Sequence, residues 1–238
     1  MPFTLSHVAA VLPGLRSARR KGALVAAGLV AGAMAPDVPF FAESVLPGVY
    51  RHGDLTHRWW AAGTLDVAIG AGLVAAWYGA WRGPVGEAVP GAWTDVVPEG
   101  RPAAGELALA AGAVAAGAVS HLVWDAFTHH GRAGVRVLPV LERRVGGVPL
   151  YTGLQYGTSL LGLALLARHA GPWRSADRRT AGLLTAATLL GAIERVRRGE
   201  RGVVDEACFG GGAGLAVGAA LLGAARGCEV AGRGVQVP

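Results

Sequence analysis

The sequence predicts an all-α fold, a polytopic transmembrane bundle of about five to seven helices. Three observations predict it. Of the 238 residues, 52% are hydrophobic and 16% charged, against about 25% charged in soluble domains, and the mean hydropathy is +0.40. Apolar runs nearly free of charge recur along the chain, and three or four of them reach the roughly 17–25 residues needed to cross a bilayer. Arginines cluster in the short connections between those runs, where membrane proteins normally keep them. A soluble helical core has no need of so many such runs separated by Arg.

The elements follow in order. Thr4 is placed to cap a short first helix, Leu5 to Leu12, with His7 in its first turn. "RSARRKG" before "ALVAAGLVAGAMA" has the charged and apolar parts of a signal peptide, but the charged part begins late, so retention as a membrane span is expected. That span runs from Ala23 to Met34 and on to Phe41, with Pro36 ending or kinking it and exposing Asp37 at the membrane edge. "HGDLTH", 52–57, reads as a loop or helix entry. Thr64–Trp81, Leu107–Trp124, Leu154–Ala167 and Cys208–Ala225 are further spans, and the shorter Ala181–Ile193 is tilted, buried or re-entrant. Gly28 with Gly32, and Gly210, Gly214 and Gly218, recur at helix-packing spacing. Trp59, Trp60, Trp77, Trp81, Trp124 and Trp173 lie near run ends, as an interfacial belt requires.

The polar connections 82–105 and 131–148 are too short to fold alone. The chain therefore reads as a single membrane-embedded domain, 1–238, with its motifs in 1–165 and C-terminal helices over 180–226. The net charge of +6 rests on 21 Arg and one Lys, with no Asn, which looks like coding bias. No basic stripe alternates with stacking aromatics, so a nucleic-acid partner is excluded. Alternating spans put 12 cationic residues on one side and 10 on the other, too even a split to orient the chain. Cys208 and Cys228 stand about 30 Å apart on one helix and cannot pair within it.

The same alternation brings Asp37, His52, His57, His121, Asp125 and His129 to one membrane face, and His7 joins them if the first helix folds back. Imidazole and carboxylate are the usual zinc ligands and also suit iron or manganese. In "SHLVWDAFTHH", 120–130, His121 and Asp125 stand one helical turn apart and can point at one ion. Thr56 and Thr128 are candidate hydrogen-bond partners to the ligands. Each piece has a plainer reading: a locally satisfied i, i+4 pair, a turn carboxylate, solvated histidines (His130 above all) and an interfacial His169. Asp66 lies within an apolar run and should face the bundle interior.

"MPFTLSH", "MAPD", "TH" at 56–57, "SHLVWDAFTH" and "YTGLQYGTS" resemble an uncharacterised family of bacterial multi-pass membrane proteins that open with MPFT-x-SH. That resemblance runs to about residue 165, and the tail is similar in hydropathy only. More distantly, the pattern is similar to inner-membrane-associated proteins assigned as metal-dependent hydrolases. Those carry an early His, a PDxD-like turn, an HRGxTH box and an SHxxxDxxTxxG helix. The resemblance implies a divalent metal ion, zinc before manganese or iron, held by His7, Asp37, His52, His57, His121 and Asp125, with Thr128 and Gly131 completing the last motif. Val38 and Pro39 replace the second carboxylate, and Gly53 and Asp54 replace Arg-Gly, which leaves less support for His52 and for a second ion.

Two functions of different class follow. One is a membrane-embedded, metal-dependent hydrolase, with Asp37 or Asp54 as general base, acting on a lipid or lipid-linked substrate in the bilayer. The other is a non-catalytic membrane protein, a transporter or assembly factor, whose His/Asp cluster binds an ion structurally. A bundle with only locally satisfied polar pairs is the third expectation.

Overall fold

The computed structural model describes residues 3–87, 101–170, 177–199 and 202–233, with side chains described up to residue 226. Trp173 and the Cys228 thiol lie outside these residues. The first element is longer than expected. A 3-10 turn, Thr4–His7, runs into α1, Val8–Lys21, and Pro13 sits inside α1. Thr4 is not a cap: its hydroxyl crosses the bundle to Asp37. Gly22, at φ +140°, turns the chain sharply into α2, Ala23–Met34, a conformation glycine adopts without a Cβ penalty.

Pro36 has no N–H to continue α2, so the helix gives way to a 3-10 turn, Ala35–Asp37, and then to the short α3, Val38–Ala42. Two further short turns carry the chain through Tyr50–His52 and α4, Gly53–Thr56. Next, α5, Leu65–Ala76, continues through a π turn, Trp77–Trp81, into α6, Arg82–Gly86. The long α7, Ala104–Thr128, precedes α8, Ala133–Val137. The 131–148 connection also holds a two-residue antiparallel pair, β1 (Arg144–Val145) and β2 (Val148–Pro149), a small departure from an all-α chain. Its cause is Gly146-Gly147: both have positive φ, the requirement of a tight two-residue hairpin. Three helices complete the chain: α9, Leu150–Ala170; α10, Arg178–Arg198; and α11, Val203–Arg233.

Among the described residues, three helical segments are long and apolar enough to cross a membrane: Ala23–Ala42, Ala104–Thr128 and Val203–Arg226. The other expected spans are helical too, but among the described residues none of them is both long and apolar enough to be counted with these three. Helix α9 carries Thr152, Gln155, Thr158 and Ser159 in its first half, and α10 is bounded by Arg178, Arg179, Arg195, Arg197 and Arg198. The α7 surface is inverted relative to a soluble helix. Leu107, Leu109, Val119, Val123 and Phe127 are exposed, while His121, Asp125 and Thr128 are buried. That is the arrangement a lipid solvent favours.

Close helix contacts set the core. A Cβ on Gly32 would lie 2.0 Å from the Val114 carbonyl oxygen, and one on Gly117 would lie 2.3 Å from that of Leu29. Only glycine lets α2 and α7 approach this closely. Helices α10 and α11 meet in the same way, through Gly191, Gly210 and Gly214. Arg195 of α10 is buried, donates to Glu206 of α11, and also donates to the Phe40 carbonyl at 3.0 Å and to Ser44 at 2.8 Å. This pins the C-terminal hairpin to α3, beside the site. Nothing in the sequence patterns had marked that ion pair.

Candidate metal centre

Helix termini build the site. The last carbonyls of α2 lack intrahelical partners, and that of Ala33 lies 2.9 Å from His121 Nδ1. A carbonyl only accepts, so Nδ1 carries the proton and Nε2 is turned toward the interior. His57, just past α4, repeats the device: its Nδ1 stands 2.8 Å from the Gly53 carbonyl. Thr56 holds this turn against Pro36, its hydroxyl 2.6 Å from the Pro36 carbonyl. Arg132 adds a hydrogen bond to the His57 carbonyl at 3.2 Å.

Asp37 and Asp125 face these two nitrogens. His57 Nε2 is 3.3 Å from Asp37 Oδ1 and 3.4 Å from Asp125 Oδ2, and His121 Nε2 is 3.6 Å from each of the same oxygens. The four atoms form a closed ring of alternating nitrogen and oxygen. Its edges exceed the 2.7–2.9 Å of charge-assisted hydrogen bonds. They suit donors around one ion: two ligands each about 2.0–2.1 Å from a tetrahedral ion stand about 3.3–3.4 Å apart. Asp37, His57 and His121 can jointly offer ligand atoms, as can His7, His121 and Asp125. Two carboxylates also match the charge of one divalent cation, which a buried site requires.

All of this is buried. Asp37, His7 and His121 are fully enclosed, and Asp125 and His57 nearly so. The expectation that Pro36 exposes Asp37 is thus corrected: the turn points the carboxylate inward, where Oδ2 accepts the 2.5 Å bond from Thr4. His7 does fold back into the site, its ring stacked on His121 with centroids 3.8 Å apart. His129 Nδ1 lies 3.6 Å from Asp125 Oδ1 and 3.0 Å from the Thr128 hydroxyl. Burial alone would lower the His57 pKa, but Asp125 and Asp37 outweigh it and raise it to about 9. For His7, burial and the charge of His121 prevail over the carboxylates and lower it to about 3.

Two candidates are not brought in. His52 is exposed, with Arg51 Nε donating to its ring at 3.4 Å, and Asp54 is exposed on α4. The turn that carries His52, Tyr50–His52, has no buried residue, whereas α4 buries Gly53 and Thr56 and leads into the buried His57. His52→Ala and Asp54→Asn are therefore expected to leave bound metal within about 10% of wild type by elemental analysis. His130 is exposed, its ring 5.9 Å from Tyr151. Asp66 is fully buried and faces the interior, as its apolar surroundings require.

A family model described as a domain of unknown function (DUF4184) matches residues 1–224. The chain belongs to this family. The match takes in the C-terminal helices, so DUF4184 extends well beyond the motif-bearing part that the sequence resemblance covered. Neither a curated protein nor a solved structure matches the chain, and no relative's name supports the likeness to inner-membrane hydrolases. For this DUF4184 member, the function has to be argued from the His/Asp ring.

Proposed function

We propose that this protein is a multi-pass, membrane-embedded metalloprotein of the cell membrane, a single domain that binds a divalent ion, zinc before manganese or iron, and hydrolyses a lipid or lipid-linked ester. The observation that carries the reading is the closed ring of His57, Asp37, His121 and Asp125, with edges of 3.3–3.6 Å. When bound, such an ion lowers the pKa of a water and polarises an acyl or phosphoryl oxygen. The chain's own groups hold it: the Ala33 and Gly53 carbonyls fix both ligand tautomers, and Thr4 orients Asp37. Asp37 is bound into the ring and Asp54 is remote, so neither is retained as the general base. The test is hydrolysis of lipid phosphates and esters in detergent, with and without chelator. Metal-dependent turnover lost in His57→Ala supports the reading, and no turnover from a metal-loaded protein overturns the catalytic half.

A second reading, a structural ion site without turnover, is favoured by the depth of burial. Structural sites are closed, whereas catalytic ones keep an open position. The partly exposed His129 gives the cluster an edge toward the surface.

Metal uptake should depend on pH in a defined sense. His57, with its pKa raised to about 9, is protonated in the ion-free protein at neutral pH, and the ion must displace that proton. Apparent affinity should rise with pH up to about 9, by about tenfold per pH unit for the His57 proton alone, with at least one proton released per ion in calorimetry across buffers. His7, at about 3, is already neutral and adds none. In the ion-free protein the sign is opposite: the His57 pairing stabilises below about 6.5 and that contribution is lost as pH rises through about 9. A pH-independent affinity would contradict His57 as a ligand.

A further inference from the structure

The four-atom ring does not use all the donors the fold has buried. His7 is fully enclosed, yet neither of its ring nitrogens has a hydrogen-bond partner. Asp125 turns Oδ2 to the ring and leaves Oδ1 without a hydrogen bond, 3.7 Å from His7 Nε2 and 3.6 Å from His129 Nδ1. His129 Nε2 is likewise buried without a partner. A buried polar atom without a partner costs roughly 1–3 kcal/mol, and a cation at this place would satisfy several of them at once. His121 cannot supply this need, because its Nδ1 is held by Ala33 and its one remaining nitrogen belongs to the ring.

We propose a second divalent-cation position beside the first, held by His7, by Oδ1 of Asp125 and by one ring nitrogen of His129, with the Asp125 carboxylate bridging the two ions. The position rests on the single-ion reading above, since the bridge presupposes an ion on Oδ2. It departs from the sequence expectation, in which the departures from the distant motif left less support for a second ion. Here the donors come instead from the folded-back N-terminal turn and the C-terminal end of α7. With two neutral imidazoles and a shared carboxylate, the second position has less charge than the first and fills later. A carboxylate-bridged pair would stand about 3.5–4 Å apart, the spacing that clamps both oxygens of a phosphoryl displacement.

The experiment is a titration of the full, chelator-stripped protein in detergent with Mn(II), read by elemental analysis and electron paramagnetic resonance. The expected result is about two ions per chain in two phases, the second bringing an exchange-coupled dinuclear spectrum. His7→Gln and His129→Gln should each lower the capacity to about one ion, remove the coupling and leave the first phase within about threefold. The wild-type spectrum needs no variant, so a misfolded His7→Gln does not spoil the test. Saturation at one ion with an uncoupled spectrum overturns the second position and leaves the first standing. No specific binding at all overturns both.

Discussion

His121→Ala should empty the centre. In protein stripped and reloaded with Zn(II), the affinity of the first ion is expected to fall by roughly 100-fold or more, beyond the 10–100-fold that loss of a ligand's supporting partner brings. The size follows from position. His121 is fully buried, its Nε2 lies on two edges of the donor ring, and its Nδ1 is fixed by Ala33, so no neighbour can replace it. The truncation also strips Asp37 and Asp125 of a shared partner in a buried site, and leaves His7 without the ring it stacks on. Asp125→Ala should do the same through the other diagonal. Metal content unchanged in both, by elemental analysis on protein shown to be folded, would remove the site.

Gly32→Ala should damage the same centre from a distance. The added Cβ meets the Val114 backbone oxygen at 2.0 Å, a contact that no rotamer relieves, so α2 and α7 must separate. Overpacking of this kind costs about 3 kcal/mol, a fall in Tm of roughly 6–12 °C for a chain of this size. Ala33, the next residue, carries the carbonyl that orients His121, so separation also loosens a ligand, and metal affinity should drop along with Tm. The control is Gly112→Ala on α7, where nothing lies within 4 Å. It should be neutral or stabilising by up to about 1 kcal/mol. Equal effects at the two positions would contradict the close-packing account.

The comparison of Gly32 with Gly112 shows where sequence reading stops. Gly28, Gly32, Gly210, Gly214 and Gly218 were legible by their spacing on one helix face, and all five make close approaches. Their partners Gly117 and Gly191 were not, because each belongs to another helix and becomes a contact only at a particular crossing. His121 and Asp125 were likewise legible, since a helix fixes the i, i+4 geometry locally. His52 was set below His57 only by its departure from the distant motif, because a chain of short turns has no period from which to tell inside from outside. Thr4 is the same lesson: its sequence position suits a cap, and only the folded-back first helix makes it a partner of Asp37.

By itself, then, the sequence determined a helical, membrane-competent chain and the chemical types that gather in it. Apolar run length and the placement of charge are properties of each segment alone, and they persist whatever packs beside them. Tertiary structure decided which polar groups become a site. It turned Asp37 inward, joined the Arg195–Glu206 pair across α10 and α11, and set the two oxygens of Asp125 toward different pairs of histidines. Those outcomes depend on distances between segments far apart in the chain, fixed by glycine contacts and helix ends, and so they exist only once the helices have met.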